Sequence, residues 1–170
     1  MKPVGEGRPI PIDFERLTAA MEDQSREFGD YFLDKETGEM VMIPVELEQA
    51  VEGEDWGKEK ERLPDWEREL VPLAESIYLR QEERWARVPE IPSGDIYRQM
   101  VKFAATVQDE HLRELLEVAL DGKGAFRRFK DVLARYPEER ERWFEFEERY
   151  LRREAEDWLH SIGVKPREAW

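Results

Sequence analysis

The densest chemistry in the chain is the run Asp121-Gly122-Lys123-Gly124-Ala125-Phe126-Arg127-Arg128-Phe129-Lys130-Asp131. Two glycines stand beside four cations, Lys123, Arg127, Arg128 and Lys130. A helix that begins after glycine offers free backbone N–H groups, and nearby guanidinium groups add charge-assisted donors. That is the donor set a phosphate-bearing ligand requires. The spacing is not that of a nucleotide loop, because no later glycine and no Lys-Ser/Thr follows the Gly-x-Gly. The competing reading is a helix–glycine–helix corner whose cations pair with the protein's own carboxylates. Cations at a helix N-terminus oppose the macrodipole by about 0.3–1 kcal/mol each, so acidic neighbours or a ligand must compensate. From Asp121 to Tyr136 five basic and two acidic residues give +3, on a chain of net charge −14. The candidate contact residues are Gly122, Lys123, Gly124, Arg127, Arg128 and Lys130.

Other chemistry is sparse. The two histidines, His111 and His160, have Glu114 and Asp157 on the same helical face. A helical di-metal site wants two Glu-x-x-His motifs and further glutamates, and the chain has neither. With no cysteine there are no disulfides and no thiolate ligands. No Gly-x-Ser-x-Gly elbow supports a nucleophilic hydrolase. Paired carboxylates are expected by chance among 41 acids. No catalytic constellation, cofactor motif or metal set is read. Trp66, Trp143 and Trp158 fall on apolar faces and read as core. Trp56, Trp85 and Trp170 lie outside clear stripes and read as partner contacts, where exposed aromatics are enriched.

These residues need elements to position them. Leu112, Leu115, Leu116, Ala119 and Leu120 recur at helical spacing before the glycines, and Asp109 can cap that helix. Gly122 or Gly124 can take the left-handed conformation that closes it. Phe126, Phe129, Val132, Leu133 and Tyr136 share the next helical face, so both phenylalanines are expected in the core. Pro137 starts a last helix with Trp143, Phe146, Tyr150, Leu151, Trp158, Leu159 and Ile162 on its stripe, stopped near Gly163. Its Glu138–Arg142, Glu145–Arg149 and Glu148–Arg152 pairs are in the favourable order.

Upstream, residues 1–12 read as a flexible arm and 164–170 as a tail. Asp13 can cap a short helix with Phe14, Leu17 and Met21 on one face. Phe28 to Asp34 and Glu39 to Ile43 form a hairpin, with positive φ expected at Gly38. Pro44 opens a short helix ended by Gly53, and Glu52 to Arg62 reads as loop. A helix carrying Trp66, Leu70, Leu73, Ala74, Ile77 and Tyr78 follows, kinked or restarted at Pro72. It breaks at Val88-Pro89, before Ser93 or Asp95 caps a helix burying Ile96, Met100, Phe103 and Val107.

Gly122-Lys123-Gly124-Ala125-Phe126-Arg127-Arg128-Phe129-Lys130-Asp131, with Tyr136-Pro137 and Arg142-Trp143, resembles the C-terminal signature of an uncharacterised bacterial protein family. It is member zero-one-five-eight of the numbered uncharacterised-protein series. Asp23-Gln24 and Tyr31-x-Leu33-Asp34-x-Glu36-Thr37-Gly38-Glu39 resemble that family's N-terminal part. The likeness runs from about Phe14 to Gly163. It implies no catalytic or ligand residues, because the family has none assigned.

The expected fold is mainly α, a single helical domain over 13–163 with a small antiparallel hairpin at about 28–43. At 40% hydrophobic and 40% charged, the chain has apolar content enough to fold. Net charge −14 argues against general nucleic-acid or anionic-membrane binding. No apolar run could span a membrane, and residues 1–6 lack a signal-peptide core, so the chain reads as cytoplasmic. The absence of asparagine and the 19 Arg against 8 Lys fit a thermophilic source and a GC-rich genome equally well. The function expected is a non-enzymatic binding or adaptor domain whose partner the sequence does not name. The alternative is a small protein or enzyme using the basic corner for a phosphate-bearing ligand.

Overall fold

A computed structural model describes residues 7–168. The fold is mainly α with a minor β component. Contacts group the chain into two compact units. The first comprises residues up to Glu90 and from Ala155 onward; the second is Ile91–Glu154. No helix among the described residues is long and apolar enough to cross a membrane.

In the first unit, β1 (Ile10–Ile12) and β5 (Pro166–Glu168) pair in parallel, Ile10 opposite Pro166 and Ile12 opposite Glu168. These strands occupy stretches read as arm and tail; residues 1–6 and 169–170, Trp170 among them, lie outside the described residues. Three residues carry no periodic signal, but Ile12 is buried and the ladder gives both segments hydrogen-bond partners. Asp13 caps α1 (Phe14–Glu22) by accepting from the Arg16 amide at 3.1 Å, and Leu17, Ala20 and Met21 are buried.

The hairpin is β2 (Gly29–Asp34) against β3 (Met40–Pro44), with Phe32 opposite Val41 and Leu33 opposite Met40. Gly38 turns it at φ 81°. A third strand, β4 (Trp85–Arg87), pairs antiparallel with the other edge of β2, where the sequence reading carried a helix onward to Val88. Asp34 fastens this sheet. Its buried carboxylate accepts from the Glu36 amide at 2.9 Å and from Arg84 Nη2 at 2.5 Å. Burial pushes the Asp34 carboxyl up, but Arg84, the Glu36 amide and the Thr37 hydroxyl outweigh it and hold the carboxyl below its ordinary value.

Pro44 stands just outside α2 (Val45–Glu52), which ends at Gly53. The stretch read as loop instead holds α3 (Trp56–Glu59) and a 3-10 turn at Lys60–Arg62. Two short helices follow, α4 (Asp65–Arg68) and α5 (Val71–Ala74), then a π turn at Glu75–Leu79. Pro72 sits in the first turn of α5, so the helix restarts there. That break exchanges two tryptophans. Trp66 is 60% exposed, because its helix ends at Arg68 and no longer shares a phase with Leu73 and Ile77. Trp56 is buried with Phe32, Ile43, Leu47, Val51 and Ala74, and its indole donates to Glu75 at 3.3 Å. Trp85 is half-buried and donates to Ser76 Oγ at 3.0 Å.

The second unit holds α6 (Ser93–Thr106), α7 (Glu110–Ala119), α8 (Ala125–Leu133) and the greater part of α9 (Pro137–Ser161). Pro92 occupies the α6 N-cap without a side-chain hydrogen bond, so neither Ser93 nor Asp95 caps it. Asp109 does cap α7, accepting from the Leu112 amide at 3.0 Å. Met100, Phe103, Leu112, Leu116, Phe129, Leu133 and Trp143 form the core. Phe103, Phe129 and Trp143 meet edge to face at 5.0–6.2 Å between ring centroids, the favoured arrangement. Arg142 pairs with Glu139 at 2.8 Å rather than with Glu138, since it also donates to Thr106 and lies over the Phe103 ring.

Two outcomes are expected. A Cβ on Gly38 would stand 1.9 Å from the Pro11 carbonyl oxygen. Gly38→Ala should therefore lower the unfolding free energy by at least the left-handed penalty of about 1–2 kcal/mol, read from the denaturant midpoint. An unchanged midpoint would refute this account of the turn. The depressed Asp34 carboxyl stabilises the fold fully above its ordinary value of 3.8, and that contribution is lost as pH falls through the lower folded value. Wild type should exceed Asp34→Asn in stability at neutral pH, with the gap closing in acid below 3.8; a pH-independent gap would disprove it.

Candidate functional site

The glycine corner joins α7 to α8, and both Gly122 (φ 81°) and Gly124 (φ 78°) are left-handed. The last carbonyls of a helix have no partner within it. Here Arg128 reaches back from α8 to supply donors. Its Nε donates to the Ala119 oxygen at 3.1 Å, Nη2 to the Asp121 oxygen at 2.5 Å, and Nη1 to the Lys123 oxygen. The Tyr97 hydroxyl donates to the Leu120 oxygen at 2.8 Å. A guanidinium at the negative end of the α7 dipole is favourably placed. Arg128 thus serves backbone carbonyls of its own chain, where the sequence reading weighed only ligand phosphate against carboxylate.

The other corner cations are differently placed. Arg127 lies 3.9 Å from Asp131, with the two side chains 91% and 71% exposed. Such a pair contributes about 0–1 kcal/mol. Lys123 and Lys130 are exposed. Phe129 is fully buried as expected, but Phe126 is 36% exposed. The buried arc of α8 runs through Ala125, Phe129 and Leu133, and Phe126 stands one residue around from it. The corner therefore presents Lys123, Phe126, Arg127 and Lys130 outward.

Beside it is a groove that the sequence reading missed. It lies along α6 and α7, encloses about 740 Å³, and ends at Leu120 and Asp121 where the corner begins. Val101, Ala104 and Val118 give it apolar lining; Glu114, Glu117 and Asp121 make it acidic. Val118 is 74% exposed and Val101 44%. No corner cation lines it. The legible signal was a valine off the leucine stripe of α7 and another off the apolar stripe of α6.

The N-terminal residues that carry the family resemblance are engaged internally. Asp23 accepts the Tyr31 hydroxyl at 2.8 Å, which, with the Ser25 amide, holds its carboxyl below the ordinary value. Asp34 binds Arg84, as above. Among the described residues no three carboxylate or imidazole groups are placed to hold a metal ion.

Arg128 and Arg127 are adjacent yet should behave differently. Arg128→Lys keeps the charge but not the planar fork of donors, and should cost about 1–2 kcal/mol. Arg127→Ala should stay within about 0.5 kcal/mol of wild type. Denaturant midpoints of both variants decide it; equal effects would remove the clamp role.

Comparison with known proteins covers corner, groove and hairpin together. Residues 7–167 match the family described as Uncharacterised protein family (UPF0158). A relative, UPF0158 protein PA5073 of Pseudomonas aeruginosa, is 24% identical over 159 residues, 94% of this chain and 88% of that protein. No solved structure matches. With the match spanning both units, this chain belongs to the UPF0158 family.

Proposed function

We propose that this chain is a non-enzymatic, cytoplasmic binding or adaptor domain whose docking surface is the groove along α6 and α7. The observation that carries this reading is Val118, 74% exposed in a concavity it shares with Val101. A single exposed valine is ordinary; two meeting in a groove flanked by charge have the make-up of a contact surface. Glu114, Glu117 and Asp121 set the sign of the partner. An amphipathic helix with apolar side chains at helical spacing and lysine or arginine beside them fits that chemistry. The alternative, a phosphate-bearing ligand at the corner, loses Arg128 to backbone carbonyls and has no observation in its favour.

A lysine–leucine amphipathic peptide, an acidic counterpart, and a panel of nucleotide, short RNA and polyphosphate test this by calorimetric titration. The cationic peptide should bind, and more weakly as salt rises. Glu117→Lys should weaken it roughly tenfold or more with circular dichroism unchanged. Absence of cationic-peptide binding to the monomeric chain would sink the proposal. Polyphosphate binding lost in Lys123→Glu/Lys130→Glu would transfer support to the alternative.

A further inference from the structure

Resting on that reading, we infer that the groove is filled by a second copy of this chain, through the basic corner that the same unit displays. The two surfaces match in kind. The groove offers two exposed valines and three carboxylates, Glu114, Glu117 and Asp121. The corner offers one partly exposed aromatic, Phe126, with Lys123, Arg127 and Lys130 about it. An aromatic anchor ringed by opposite charges is the arrangement that concentrates binding energy at interfaces.

Compensation for the corner within its own chain is slight. Lys123 and Arg127 stand at the positive end of the α8 dipole, which repels them. The ion pair of Arg127 with Asp131, at 3.9 Å, is solvent-exposed and therefore weak, and Arg128 answers carbonyls, not the dipole of its own helix. The acidic groove of a second molecule supplies what is missing.

The charge distribution permits such pairing. Ile91–Glu154 holds 14 acidic and 13 basic side chains, a net charge of −1, so −13 of the chain's −14 belongs to the other unit. A near-neutral unit does not repel its copy as the acidic unit does. Because groove and corner lie on one unit, two copies can each offer both surfaces, the pattern of a two-fold dimer.

Sedimentation equilibrium of the full chain at physiological salt reads the outcome. Wild type should pass from 20.3 kDa to twice that mass as concentration rises. Glu117→Lys and Lys130→Glu should each weaken association roughly tenfold or more, because each sets like charges in contact. An equimolar mixture of the two variants should recover it, since every contact between unlike chains again joins opposite signs. That recovery also shows both variants fold. A wild type that stays monomeric overturns the inference, as does a mixture that fails to recover. If wild type is monomeric yet binds the cationic peptide through Glu117, self-association falls and the binding-domain reading stands. If it is monomeric and binds no cationic peptide, both fall.

Discussion

Backbone carbonyls at the ends of short helices need donors, and in this chain arginine side chains provide many of them. Arg128 takes the carbonyls of Ala119, Asp121 and Lys123. In the first unit Arg26, a side chain only 6% exposed, donates to the Ala20 carbonyl in the last turn of α1 and also to the Val88 and Pro89 carbonyls past β4. Arg113 donates to the Val107 carbonyl just past α6. A lysine at these places would offer a compact charge in place of a fork of donors directed at several oxygens. Short helices multiply the ends that must be satisfied, and 19 arginines against 8 lysines suit that need.

The same carbonyls limit what residue types and spacing reveal of the basic run. Arginine beside glycine at a helix start has the composition of an anion site, and sequence does not record which way a guanidinium turns. Arg128 turns back to the preceding helix; Arg127, one residue on, points to solvent. What sequence did record were local devices. Asp13 and Asp109 cap their helices, Gly38 has positive φ, and Pro137 begins α9, because each depends on a few adjacent residues. What it concealed depends on distant partners. The Trp85–Arg87 segment is a strand only because β2 has a free edge. Trp56 is core only because the helices after Pro72 close over it. Phe126 shows the limit of periodicity, since one position around a helix separates a fully buried ring from a partly exposed one.

The groove rests on a similar separation. Leu112, Leu116 and Ala119 face the core and hold α7 in place, and Val118 contributes nothing to that packing. A lysine or glutamate there would be equally helical and better solvated. The fold therefore sets no requirement at this position, nor for Val101 on the opposite wall. Apolar side chains at these two positions line one concavity, and the proposed docking surface would account for them. Of the carboxylates beside them, Glu114 and Glu117 stand three residues apart on α7, and Asp121 follows just past its end. Their mutual repulsion costs a little in isolation and is relieved by a cationic surface. Exposed valine and neighbouring carboxylates thus share one side of one helix, the side on which the proposed docking surface lies.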